Sequence, residues 1–66
     1  MRAHQKFKIG QRVRMNDEGR SLHPFDTKSG VCVGFNSDFA EWITVESGLT
    51  KKRREQYNMD FWEPVK

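Results

Sequence analysis

Between Phe7 and Met15 the apolar side chains Phe7, Ile9, Val13 and Met15 fall on odd positions, while Lys6, Lys8, Arg12 and Arg14 fall on even ones. A period of two marks a strand with one buried face, because successive side chains leave a strand on opposite sides. It does not suit an amphipathic helix, whose apolar positions recur every three or four residues. Gly10 and Gln11 interrupt the apolar set, so regular pairing is expected to start near Gln11, with Gly10 in a turn or bulge before it.

The segments that follow extend this reading. Residues 16–29 are polar, with Gly19 and Pro24 among them and no sustained periodicity, and are expected to form one long loop. A connection of that length in a compact domain usually has a purpose, which makes it a candidate recognition element. Its apolar stretch, Leu22, His23, Pro24 and Phe25, is expected to fold back over one end of the sheet. Residues 30–35 form a short β-branched run suited to a buried strand, and 39–46 a second, with Ile43 and Val45 on one face and Trp42 and Thr44 on the other. Ser47-Gly48 supplies a turn, 51–57 reads as an exposed strand, and 58–60 as a one-turn 3₁₀ link into a last strand at 61–65. Pro64 suits a strand end or a sheet edge. Five short strands without a helical pattern predict an all-β domain, a small barrel or a pair of packed sheets.

Sixty-six residues allow one domain, here residues 1–66 with an ordered part from about 6 to 65 and frayed ends at 1–5 and Lys66. A core this small favours binding at the surface over buried chemistry. Cys32 is the only cysteine, so no internal disulfide is expected, and a lone thiol fits a reducing cytoplasm. It is expected to act as a small buried hydrophobe. No apolar run approaches the roughly 18 residues of a membrane span, and Met1 to Lys8 does not form a signal-peptide core, so no membrane segment is expected. His4, His23 and Cys32 show no ligand spacing, and neither a metal nor a cofactor is expected. His23 has Asp26 three residues on but no nucleophile in a known motif, and no phosphate-binding glycine pattern is present, so the expectation is not an enzyme.

Twelve Lys and Arg against nine Asp and Glu give a net charge of +3. Lys8, Arg12 and Arg14 on the outward face of the first strand, together with Lys51, Lys52, Arg53 and Arg54, are candidate phosphate contacts. The same pattern also follows from strand parity alone, and charged strands protect a sheet edge from pairing with another chain. Trp42, Tyr57, Phe61 and Trp62 outnumber the rings a minimal core encloses. Trp42 has the parity opposite to Ile43 and Val45 and is expected at the surface, with Tyr57 and Trp62 beside it, while Phe35 and Phe61 are expected to cap the ends of the fold. Exposed rings stack on bases, worth about 1–3 kcal/mol per base, or form a peptide groove.

The segments Lys8-Ile-Gly-Gln-Arg-Val-Arg14, Ser29-Gly-Val-Cys-Val-Gly-Phe35, Ile43-Thr-Val45 and Tyr57-Asn-Met-Asp-Phe-Trp-Glu-Pro-Val65 resemble, over residues 7–65, the pattern of SH3-like barrels. That pattern is shared by KOW-like and Tudor-like modules and by small phage and mobile-element proteins. The resemblance implies a five-stranded SH3-like barrel with a long loop between strands one and two and a 3₁₀ turn before the last strand. With the basic stripe and the surplus rings, the first expectation is a binding module for nucleic acid or a nucleoprotein complex. The second is a protein-interaction or assembly module that takes a peptide or another copy of the chain. Gly10-Gln-Arg-Val-Arg14 and Gly30-Val-Cys-Val-Gly-Phe35 are also similar to plasmid-borne type II dihydrofolate reductase, an oligomer of such barrels, so an oligomeric reductase is the third. The Val-Gln-Ile-Tyr segment of that enzyme's pore stands here as Arg54-Glu-Gln-Tyr57, with Arg54 in place of an apolar residue and Glu55 adding a charge.

Overall fold

The alternation around Val13 is realised as a strand, β1 (Arg12–Met15), with Val13 and Met15 buried and Arg12 and Arg14 exposed. The structure is a computed structural model describing residues 2–25, 28–48 and 50–65. Around β1 stand α1 (Ala3–Lys6), α2 (Asp17–Leu22), β2 (Ser29–Phe35), β3 (Trp42–Ser47), β4 (Arg53–Asn58), a 3₁₀ turn (Met59–Phe61) and β5 (Trp62–Pro64). The chain is an all-β domain built on one antiparallel five-stranded sheet of order β4-β3-β2-β1-β5. Each strand pairs with its sequence neighbour except the last, which returns to lie beside the first, so β4 and β5 are the two edges. Pro64, which lacks a ladder donor, therefore sits on an edge strand, opposite Val13.

One face of the sheet holds the core. Phe7, Val13, Met15, Cys32, Ile43, Val45, Met59 and Trp62 are buried there with Ala3, and Phe35, Tyr57 and Phe61 pack against them from the periphery. Cys32 is buried, as its composition predicts, and burial pushes its thiol pKa up. In β2 the pairing shifts between Cys32 and Gly34, a bulge that resets the parity. Phe35 therefore joins Cys32 on the inner face, opposite buried Ile43.

Several expectations need correction. Residues 16–29 are not one loop, because Asp17–Leu22 is helical. Asn16 caps it by accepting from the Gly19 N–H at 2.9 Å, and Asp17 and Glu18 place negative charge in the first turn, where the exposed backbone donors favour it. Residues 3–6 are not frayed: the Ala3 N–H donates to the Ala40 carbonyl at 2.7 Å, and Ala3 is fully buried. Ile9 does not share the inward face of Phe7 and Val13 but is 67% exposed. The backbone turns at Gly10, whose φ of 88° suits glycine, before β1 begins. Trp62, expected at the surface, is fully buried at the start of β5. The 3₁₀ turn before β5 breaks the alternation and sends this ring inward. Leu22, Pro24 and Phe25 do not fold back over the sheet, being exposed, Phe25 completely. Met1 and Lys66, expected to fray, and Asp26, considered beside His23, lie outside the described residues.

Candidate functional site

Trp42 begins β3 and Asn58 ends β4, and the two are directly paired, so the ring of Trp42 stands on the outer face at one end of the β3–β4 hairpin. The next pair, Ile43 and Tyr57, faces the core, and Tyr57 rests on Trp62. Asn58 also caps the 3₁₀ turn, accepting from the Asp60 N–H at 2.9 Å, which fixes where Phe61 emerges. Against this turn lies α2. Asn16, whose side-chain oxygen caps α2, donates its side-chain amide to the Asp60 carbonyl at 2.8 Å, and its backbone N–H donates to the Phe61 carbonyl at 3.0 Å. A Cβ on Gly19 would stand 2.4 Å from that Phe61 carbonyl oxygen, so the close approach requires glycine. The helix thus delivers His23, its C-cap residue, edge-on to Phe61 with ring centroids 5.7 Å apart.

His23, Trp42, Gln56, Tyr57, Asn58 and Phe61 together line a groove of about 380 Å³. Trp42 is 36% exposed and supplies its outer wall. Gln56 accepts a hydrogen bond from the side-chain amide of Asn36, whose Oδ1 in turn accepts from the N–H groups of Asp38 and Phe39. The turn ahead of β3 is thereby fastened to the groove, and the Trp42 N–H closes it on the Phe39 carbonyl at 3.1 Å. Leu22, Phe25 and Phe39, all exposed, stand in the two segments beside His23 and Trp42.

The sequence-predicted cations lie elsewhere. Arg53 pairs with Ser47 and Arg54 with Glu46, five and four residues along β3 from Trp42. At the rise of a strand, Ser47 is about 16 Å from Trp42. Lys51, Lys52, Arg53 and Arg54 thus occupy the opposite end of the hairpin from the rings. Carboxylates already engage several of the cations. Glu46 accepts from Arg54 at 2.8 Å and lies 3.7 Å from Lys52, Glu63 accepts from Arg14 at 2.9 Å, and Arg53 lies 3.7 Å from Glu55. Arg54, bonded to its carboxylate, holds the Glu46 pKa below the usual range, with Lys52 adding to the effect. Lys8, Arg12 and Lys51 are exposed and have no carboxylate within ion-pair distance among the described residues. Arg12 and Lys52 border a wider cavity of about 430 Å³ that also holds Glu46, Ser29 and Ser47.

Of the predicted binding residues, then, Trp42 and Tyr57 come together, the cations form a separate and largely paired surface, and Trp62 belongs to the core. Gln56, Asn58 and Phe61 were not foreseen as site residues, and His23 only as part of the candidate recognition element at 16–29. The one available signal is Asn16 followed by two acids, a pattern that suits the start of a helix at Asp17. Among the described residues there is no cluster of three or more His, Cys, Asp or Glu able to hold a metal ion, and no helix long and apolar enough to cross a membrane. Compared with known proteins, the chain matches no family model, no curated protein and no solved structure.

Proposed function

We propose that this chain is a small non-catalytic interaction module of SH3-like barrel type that takes an extended segment of a partner protein in its aromatic groove. One observation carries the reading. Of the five large apolar side chains exposed among the described residues, Leu22, Phe25, Phe39 and Trp42 come from the two segments bordering the groove, and only Ile9 lies elsewhere. Apolar side chains gathered beside a concave, ring-lined surface are the usual mark of a protein-binding site. The barrel reading is supported by the meander whose last strand returns to the first, and by the contact between Tyr57 and Trp62 that draws the edge strands together. Its resemblance to small phage and mobile-element proteins, and its single Cys32, fit a role in the cytoplasm.

The test is a displayed random-peptide selection against the whole chain, repeated on Trp42→Ala. Peptides enriched on the original chain and lost on the variant support the groove. No enrichment, or equal enrichment on both, contradicts it.

A nucleic-acid role is the second reading, favoured by Lys8, Arg12 and Lys51, whose charges no carboxylate among the described residues offsets. It predicts that labelled single- or double-stranded oligonucleotides bind in a polarisation assay with an affinity that falls steeply as salt rises. No binding at low salt removes it. The oligomeric reductase gains no support, since Arg54, at a position the resemblance gives to an apolar pore residue, is held by Glu46.

A further inference from the structure

Charge is distributed along this chain as unevenly as the rings. Residues 16–25, 36–42 and 55–61, which supply the groove or hold it in place, contain six of the nine acidic residues, Asp17, Glu18, Asp38, Glu41, Glu55 and Asp60, and one of the twelve basic residues, Arg20. Their formal charge is −5, while the rest of the chain, with three acidic and eleven basic residues, carries +8.

Several of these acidic positions are tied to the groove through the backbone, and Glu55 accepts from the hydroxyl of the groove residue Tyr57 at 2.8 Å. Asp38 is on the turn bonded through Asn36 to Gln56. Glu41 precedes Trp42, and its carbonyl accepts from the Met59 N–H at 2.8 Å, tying it to the 3₁₀ turn. Asp60 lies within that turn, next to Phe61, and Glu18 lies in the helix that ends at His23. Arg20 engages Asp17 and Arg53 approaches Glu55. Glu18, Asp38, Glu41 and Asp60 are exposed and have no cation within ion-pair distance among the described residues. Carboxylates of one sign beside a low-dielectric apolar surface draw cations toward it and repel anions. The ring of Trp42 adds a face that attracts a cation directly.

We infer that the occupant of the groove is a partner segment presenting Lys or Arg beside apolar side chains, and that anionic ligands are disfavoured there. This rests on the groove being the binding site. The apolar side chains fill the space among Trp42, Tyr57 and Phe61, and the cationic ones reach the acidic rim. Rim charges act chiefly on association rate, partner choice and salt dependence.

The experiment uses the whole ¹⁵N-labelled chain and three short peptides with one pattern of Leu and Phe, interleaved with Lys, Glu or Ser. Amide shifts of His23, Trp42, Asn58 and Phe61 report occupancy. The Lys peptide is expected to bind with a Kd on the order of tenfold below that of the Glu peptide at low salt, and the gap should close at high salt. The combined variant Glu18→Gln, Asp38→Asn, Glu41→Gln, which alters only exposed side chains, should weaken the Lys peptide several-fold and leave the Ser peptide unchanged. Equal binding of all three peptides at the groove would overturn the charge preference and leave the groove standing, as would tightest binding by the Glu peptide. Failure of every peptide to shift the groove residues would remove the groove reading itself.

Discussion

The rings of Tyr57 and Trp62 meet with centroids 4.9 Å apart and planes inclined by 44°, joining β4 to β5 at the two edges of the sheet. Trp62 is part of the core and Tyr57 lines the groove, so the floor of the groove is the outermost layer of the core. It means that the two tryptophans, alike in sequence, do different work.

Replacing them should separate those roles. Trp62→Ala is expected to cost about 3–5 kcal/mol, close to the whole stability of a domain this size, and to leave the chain largely unfolded. Trp42→Ala should stay within about 1 kcal/mol while abolishing peptide capture. The buried Nε1–H of Trp62 has no hydrogen-bond partner among the described residues, so Trp62→Phe loses packing and should cost about 1–2 kcal/mol. Urea denaturation followed by circular dichroism ranks the three.

Gly19→Ala offers a sharper geometric check. In an exposed helix the change stabilises by roughly 0.5–1 kcal/mol. Here the new methyl meets the Phe61 carbonyl, and a net loss of about 1–3 kcal/mol is expected, with shifted resonances for His23 and Phe61. A stabilised variant would mean that α2 does not sit against the 3₁₀ turn.

Asn16 has two duties that substitution can divide. Asn16→Asp keeps the acceptor that caps Gly19 but loses the amide that donates to the Asp60 carbonyl. Asn16→Ala loses both and should cost about 0.5–2 kcal/mol through the cap alone, with the aspartate variant in between. Thermal melts of the three chains give the order.

These predictions concern the part of the fold that was hardest to read from sequence. Strand β1 was legible because Val13, Met15, Arg12 and Arg14 keep an unbroken period of two, and Trp42 because its neighbours Ile43 and Val45 assign it to the opposite face. Parity fails wherever the backbone resets it: the bulge after Cys32 turns Phe35 inward, and the 3₁₀ turn does the same for Trp62. Helix α2 was hidden because Asn-Asp-Glu-Gly begins a turn as readily as a helix, and Gly19 is a poor helix former whose presence answers to Phe61, far along the chain. The groove was half visible for the same reason. Trp42 and Tyr57 follow from strand pattern, whereas His23 and Phe61 meet only through the docking of α2.

The acid behaviour of Glu46 follows from its partners. Its folded pKa is depressed, so the stability it contributes is present above its unfolded pKa and is lost as pH falls through the lower, folded value. A carboxyl-detected NMR titration should place its midpoint below that of an ordinary glutamate, and Arg54→Gln should raise it. An unchanged midpoint in the variant would mean that Arg54 does not hold this carboxylate.

The most direct test sets the groove against the basic face in one sample series. The labelled chain is titrated separately with the Lys-interleaved peptide and with a single-stranded oligonucleotide, and amide shifts are mapped at each point. The expected result is a saturable response to the peptide centred on His23, Trp42, Asn58 and Phe61. Shifts confined to Lys8, Arg12 and Lys51 on adding the oligonucleotide, with the groove silent to the peptide, would contradict it.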